Sequence, residues 1–178
     1  MKVLILTGSP HAQGTTALLA DQVCVGAQEA GHEVICIGTA KLNIHPCLGC
    51  YHCRNYDGQC VYDDDMKQIH SQLLTADAVV LVTPLYYFGM TAQLKRVIDR
   101  FFAINSSLRN TSKRLHLVAA CGDNDEWAMD ALVVHFQTLC RYLHWQEGEK
   151  VLAIGAYTRE DLKDSDYPML ARKLGADL

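Results

Sequence analysis

Nothing in this chain is long and apolar enough to span a membrane. Its longest aliphatic run, Ala78 to Val82, covers five residues, against about 20 for a membrane helix. There is no surplus of positive charge either. Sixteen Lys and Arg stand against twenty Asp and Glu, for a net charge of −4. Neither a nucleic acid nor an anionic membrane surface is therefore expected as a partner. No secretory signal is expected from the opening residues, because Val3 to Leu6 is apolar over only four residues before Thr7-Gly8, too short for an h-region. A cytoplasmic location is expected, and in a reducing compartment the eight cysteines read as thiols or metal ligands, not disulfides. Proline is scarce, at four in 178 residues. No Pro/Gly-rich linker, internal repeat or low-complexity segment divides the chain, so residues 1–178 read as one domain.

Two familiar phosphate motifs are also missing. A dinucleotide fingerprint needs G-x-G-x-x-G, and a P-loop needs Gly-Lys-Ser/Thr at its end. What is present is an apolar strand, Lys2 to Thr7, running into Gly8-Ser9-Pro10-His11-Ala12-Gln13-Gly14-Thr15-Thr16 and then a helix. A strand opening through a Gly- and hydroxyl-rich loop into a helix N-terminus is an anion cradle. Ser9, Thr15 and Thr16 add hydroxyls, and there is no lysine for a second or third phosphate. The loop suits one terminal phosphate monoester, which is the demand FMN makes. The alternative is an ordinary strand-to-helix turn with Thr15 or Thr16 as a cap.

Strands and helices alternate along the rest. Thr15 to Ala30 reads as a helix ended by Gly31, and His32 to Gly38 as a second strand. Residues 40–62 form a cysteine-rich loop without clear period. Asp63-Asp64-Asp65 opens a helix with the apolar stripe Met66, Ile69, Leu73 and Leu74. Asp77 to Thr83 is a strand apolar enough to be covered on both faces. Thr91 to Ala103 reads as a helix, 104–113 as polar loop, Arg114 to Cys121 as the fourth strand, and Asp125 to Leu143 as a helix. Lys150 to Ala156 is the fifth strand, with a short helix near Pro168. This pattern predicts an α/β three-layer sandwich around a five-stranded parallel sheet.

In such a sheet, ligands sit beyond the carboxyl ends of the strands. The loop after the third strand reads Thr83-Pro84-Leu85-Tyr86-Tyr87-Phe88-Gly89-Met90. Three consecutive aromatics cannot all enter one core. They suit a pocket for a flat heterocycle, or else one or two pack on the sheet and the rest are surface. Cys121-Gly122-Asp123 follows the fourth strand, where Gly122 permits close approach to a ligand. An ordinary turn capped by Asp123 is the alternative.

A second motif is Cys47-x2-Cys50-x2-Cys53-x6-Cys60. Compact C-x2-C-x2-C runs with a fourth cysteine nearby are used by iron–sulfur clusters. Structural zinc more often uses two C-x2-C pairs held well apart. Free thiols on a loop remain a third possibility. Gly49 and Gly58 permit the turns such a loop needs.

Taken together, Gly8-Ser9-Pro10-His11 with Gly14-Thr15-Thr16, Thr83-Pro84-Leu85-Tyr86-Tyr87 with Gly89, and Lys95 with Asp99-Arg100 resemble the flavodoxin-like NAD(P)H-dependent FMN reductases, and within them the iron–sulfur flavoprotein branch. The resemblance runs from Met1 to about Ala156. It implies strand order 2-1-3-4-5. It also implies an FMN phosphate held by Ser9, His11, Gln13, Gly14, Thr15 and Thr16. The isoalloxazine ring would be lined by Pro84, Leu85, Tyr86, Tyr87, Phe88, Gly89, Cys121, Gly122 and Asp123. A 4Fe-4S cluster on Cys47, Cys50, Cys53 and Cys60 is implied, and so is a homodimer or higher homo-oligomer. The expected activity moves electrons from NAD(P)H through flavin to a small-molecule or protein acceptor. No side-chain nucleophile or acid is required, and none is nominated. His11 stands where many relatives carry arginine, which weakens the charge on the phosphate side. An electron carrier without its own substrate and a zinc-stabilised binding module are the rival readings.

Overall fold

The computed structural model describes residues 1–178. Strands β1 (Lys2–Thr7), β2 (Glu33–Gly38), β3 (Ala78–Pro84), β4 (Arg114–Ala120) and β5 (Gln146–Ala153) form one sheet. Every pairing is parallel and the order is β2-β1-β3-β4-β5. The chain steps outward from β1 in one direction to β2, then in the other through β3 to β5. The switch point lies between β1 and β3.

Period-two alternation sorts the strand side chains onto two faces. Val3, Ile5, Val80 and Val82 face helices α1 (Thr15–Glu29) and α7 (Tyr167–Ala176). Leu4, Leu6, Val79, Leu81, Leu115 and Leu117 face α3 (Met66–Thr75), α4 (Ala92–Asp99) and α6 (Asp130–Leu143). The remaining helices are short: α2 (His52–Asn55) and α5 (Asn105–Arg109).

On the first face, α1 and α7 cross at two glycines. A Cβ on Gly26 would fall 1.9 Å from the Arg172 carbonyl oxygen, and one on Gly175 would fall 2.2 Å from that of Val23. The backbones touch where side chains would hold them apart. This contact fixes α7 beside the helix that carries the anion loop.

Several elements differ from their sequence expectation, among them the helix expected from Asp125, which opens as a 3-10 turn over Glu126–Met129 and is α-helical from Asp130. The helix from Thr91 is α-helical only to Asp99 and tightens into a 3-10 turn over Arg100–Ile104. The polar segment 104–113 contains α5, held by fully buried Leu108, whose carbonyl accepts the Trp145 Nε1–H at 2.9 Å. Packing of one apolar residue outweighs the polar pattern around it. Strand β5 begins at Gln146 and ends at Ala153. Its first residues are polar edge positions, and a register shift opposite Leu115 to Leu117 lets Gly148 lie against the His116 ring. No helix is long and apolar enough to cross a membrane.

Candidate functional site

The anion loop folds around Ser9. Its hydroxyl accepts from the His11 N–H at 3.1 Å and donates to the His11 carbonyl at 3.3 Å. Gly14 N–H closes the turn onto His11 O at 3.2 Å. The first residue before α1 is therefore Gly14, in extended backbone, and no side chain caps the helix. The N–H groups of Thr15, Thr16 and Ala17 donate to no protein acceptor. At α4, by contrast, the Thr91 hydroxyl accepts from Leu94 N–H at 3.3 Å. Hydroxyl residues at positions 15 and 16 are thus not spent on capping. Three unpaired amides at the positive end of a 15-residue helix make an anion site.

Thr15 and Thr16, which carry two of these amides, border a cleft of about 530 Å³ at the carboxyl edge of the sheet. Ser9, His11, Gly14, Thr15 and Thr16 line one side. Pro84, Leu85, Tyr86, Cys121 and Gly122 line another. Two loops expected at one crevice do meet there. Gln13, Tyr87, Phe88, Gly89 and Asp123 are absent from the lining. The reason is a tight hairpin: Tyr86 N–H donates to Gly89 O at 2.9 Å, and Gly89 N–H to Tyr86 O at 3.2 Å. Tyr87 and Phe88 occupy the two central positions at φ of 46° and 62°, the left-handed pair of a type I′ turn. Tyr87 is fully exposed, and Phe88 turns aside to stack on Trp127 at 5.4 Å between ring centroids. Asp123 serves the backbone. Its carboxylate accepts from Asp125 N–H at 3.0 Å and its carbonyl from Gly155 N–H at 2.7 Å.

The third wall was not legible in the sequence. Ala156, Tyr157, Thr158 and Arg159 line the same cleft. Cys121 N–H donates to Ala153 O at 2.9 Å, and Ala156 N–H to Cys121 O at 2.7 Å. These bonds carry the chain leaving β5 against the loop leaving β4. A Cβ on Gly122 would lie 2.6 Å from the Tyr157 ring, so Tyr157 approaches this glycine closely, and both residues line the cleft. Burial pushes the Cys121 thiol up, only partly offset by hydrogen bonding to Asp123 and Gly155. It is a neutral wall of the cleft.

The cleft fits FMN on three observations: unpaired amides for a terminal phosphate, a volume sufficient for a small ligand, and aromatic Tyr86 and Tyr157 beside it. The Leu85 N–H is already donated to Ala120 O. In the aromatic loop the N–H groups of Tyr87, Phe88 and Met90 donate to no protein acceptor.

The cysteine loop lies apart from this cleft. Its ends are tied down: Arg96 donates to the carbonyls of Thr39 and Leu42 at 3.2 and 3.1 Å, and Asn43 N–H donates to Asp65 at 2.8 Å. Arg100, buried with Asp64, donates to its two carboxylate oxygens at 2.8 and 3.1 Å and to the His45 carbonyl at 2.8 Å. Burial opposes ionisation of Asp64, but Arg100 and the amides of His45 and Met66 prevail and hold its pKa at about 2. Gly49 and Gly58 take left-handed φ of 64° and 81°. The Cys53 thiol is raised by burial first, then by the charges of Cys60, Cys47 and Cys50. No three of the side chains reach ligating positions. The segment between them separates two hollows, with Cys53 lining one and Cys60 the other. The donor set matches a cluster in kind and number, while the loop geometry does not hold one.

The family model for NADPH-dependent FMN reductase matches residues 1–159. The chain belongs to the NADPH-dependent FMN reductase family. An iron–sulfur flavoprotein of Methanocaldococcus jannaschii is 37% identical over 112 residues, 62% of this chain and 58% of that protein. One of Methanosarcina thermophila is 31% identical over 113 residues, 62% of this chain and 59% of that protein. The chain spans about half the length of the curated relatives it matches. Among solved structures, a NAD(P)H:quinone oxidoreductase from Methanothermobacter marburgensis superposes with a TM-score of 0.75 at 17% identity, covering 99% of this chain and 95% of that one. At that identity the likeness concerns the fold, which is flavodoxin-like.

Proposed function

We propose that this family member binds FMN in the cleft between the anion loop and the ends of β3, β4 and β5, and works as a NAD(P)H-dependent oxidoreductase. The observation that carries the reading is the trio of unpaired amides at Thr15, Thr16 and Ala17. They face a place where a phosphate monoester replaces the missing cap. When bound, FMN supplies the hydride chemistry between a reduced nicotinamide and an acceptor. The chain's own residues bind and orient it. Ser9 fixes the loop, Thr15 and Thr16 offer hydroxyls to the phosphate, and Tyr86, Cys121 and Tyr157 wall the ring. Anaerobic mixing of the FMN-loaded protein with NADPH and NADH is the test. Bleaching of the flavin absorbance faster than for free FMN supports the enzyme. Bleaching no faster than free FMN would leave an electron carrier.

We further propose Cys47, Cys50, Cys53 and Cys60 as ligands of a 4Fe-4S cluster. The C-x2-C-x2-C-x6-C spacing supports it, and relatives named iron–sulfur flavoproteins point the same way. Binding requires the loop to draw Cys53 and Cys60 to one side, which means breaking the bond from Gly58 N–H to the Cys53 carbonyl at 2.9 Å. Iron and sulfide analysis after anaerobic purification tests it, and zinc without iron would reassign the site.

A homodimer is proposed as well. Tyr86, Tyr87, Phe88 and Trp127 leave an exposed aromatic ridge beside the cleft, a surface normally covered by a partner. Light scattering at micromolar concentration gives the answer, and a lone monomer would refute it.

A further inference from the structure

We propose that Arg159 is the counter-ion of the phosphate bound in this cleft, supplying from the end of β5 the charge that the first loop lacks. The inference rests on the flavin-phosphate reading of the same cleft. A phosphate monoester carries close to two negative charges at pH 7, and this chain is itself negative at −4. The amides and hydroxyls of the first loop are neutral, and His11 is the only titratable side chain there. Among all residues lining the cleft, Arg159 alone bears a permanent charge.

Its surroundings leave that charge uncompensated. Arg159 makes no ion pair and no side-chain hydrogen bond. The two acids that follow it are engaged elsewhere. Glu160 pairs with Lys163. The Asp161 carboxylate accepts from the Thr158 N–H at 2.6 Å and from the Thr158 hydroxyl at 3.0 Å, bonds that hold Asp161 below the usual carboxylate range.

The backbone beneath it is fixed while the side chain is free. Leu162, fully buried under α1 and α7, anchors the turn, and its N–H donates to the Arg159 carbonyl at 3.3 Å. Ala156 is tied to Cys121. Arg159 is thus an exposed, unpaired guanidinium on a backbone held by these bonds, lining the same cleft as Thr15 and Thr16 at the start of α1. A guanidinium matches phosphate oxygens with two parallel N–H donors.

The test is titration of wild-type, Arg159→Ala and Arg159→Lys apoproteins with FMN and with riboflavin, followed by flavin fluorescence. Thermal melting provides the folding control, because Arg159 is exposed and unpaired. Arg159→Ala is expected to weaken FMN by about 10- to 100-fold, the range for one hydrogen bond to a charged group, and to leave riboflavin within about twofold. Arg159→Lys restores part of the loss, and the FMN affinity of Arg159→Ala depends less on salt than that of wild type. Equal losses for FMN and riboflavin would overturn the assignment in favour of a ring contact. Unchanged FMN affinity with a raised KM for NADPH but not NADH would overturn it in favour of the nicotinamide's phosphate. A wild-type protein that binds FMN and riboflavin equally defeats the underlying phosphate reading itself, whatever the variants do.

Discussion

Arg100 and Asp64 meet through two parallel contacts of 2.8 and 3.1 Å, both side chains at most 2% exposed. One belongs to the 3-10 turn after α4, the other to the exit of the cysteine loop. With the Arg100 bond to the His45 carbonyl, they clamp both ends of that loop onto the α4 side of the sheet. Arg100 Nε has no partner, so the pair is not fully satisfied. Such a pair is costly to break and weak evidence of net stabilisation. Asp64→Asn is expected to cost about 3–5 kcal/mol by urea denaturation, while replacing both partners by apolar residues costs much less. A single-variant cost below about 1 kcal/mol would show that the pair is not the clamp.

Acid stability should fall in two separable windows. Burial, with a smaller contribution from Arg114, pushes the buried His116 down from 6.5 to about 4. The unfolded chain then binds the extra proton first. Stability is complete above about pH 6.5 and declines as pH falls toward 4, by roughly 3 kcal/mol at 1.36 kcal/mol per unit. Asp64, lowered from 3.8 to about 2, stabilises above pH 3.8, and that contribution is lost as pH falls through 2. Thermal melting from pH 8 to pH 4 with His116→Gln should remove the largest part of the upper window, leaving the smaller share of His70 and His135, which burial also lowers. A variant that still melts with the wild-type slope between pH 6.5 and 4 would assign the window to another group.

The crossing of α1 and α7 predicts an inverted helix-propensity result. Alanine at an interior helical glycine normally stabilises by about 1 kcal/mol. At Gly26 the added Cβ meets the Arg172 carbonyl at 1.9 Å, so Gly26→Ala should destabilise by about 1–3 kcal/mol through overpacking. A higher Tm in that variant would mean the two helices do not touch in solution.

The sheet and the first loop were legible because local pattern decides them. Lys2–Thr7 is a buried strand in the sequence and in the fold, and Gly14-Thr15 begins a helix in both. The third wall was not. Tyr157-Thr158-Arg159 follows a strand whose opening residues are polar, and nothing nearby marks them as functional. Only the pairing of β4 with β5 brings them to the cleft. The aromatic run was half legible. Its place beside the cleft was expected, but the type I′ turn that sends Tyr87 and Phe88 outward depends on left-handed backbone that no propensity assigns to two aromatics. The Gly26–Gly175 contact joins residues at opposite ends of the chain, beyond the reach of any local signal.

That turn carries its own prediction. A left-handed non-glycine residue costs about 1–2 kcal/mol, and Asn tolerates the conformation far better. Tyr87 is fully exposed and loses no packing when replaced. Tyr87→Asn should raise stability by about 1 kcal/mol in a dilute denaturation experiment. A drop instead would show that the ring is held by a contact made in the assembled protein.

The most direct measurement of the account is the affinity of the wild-type apoprotein for FMN beside its affinity for riboflavin, with Thr15→Ala as the paired variant. FMN is expected to bind clearly more tightly than riboflavin, and Thr15→Ala to cost about 1–3 kcal/mol for FMN alone. Equal affinities for the two flavins, unmoved by the substitution, would contradict the claim that the unpaired end of α1 holds the cofactor by its phosphate.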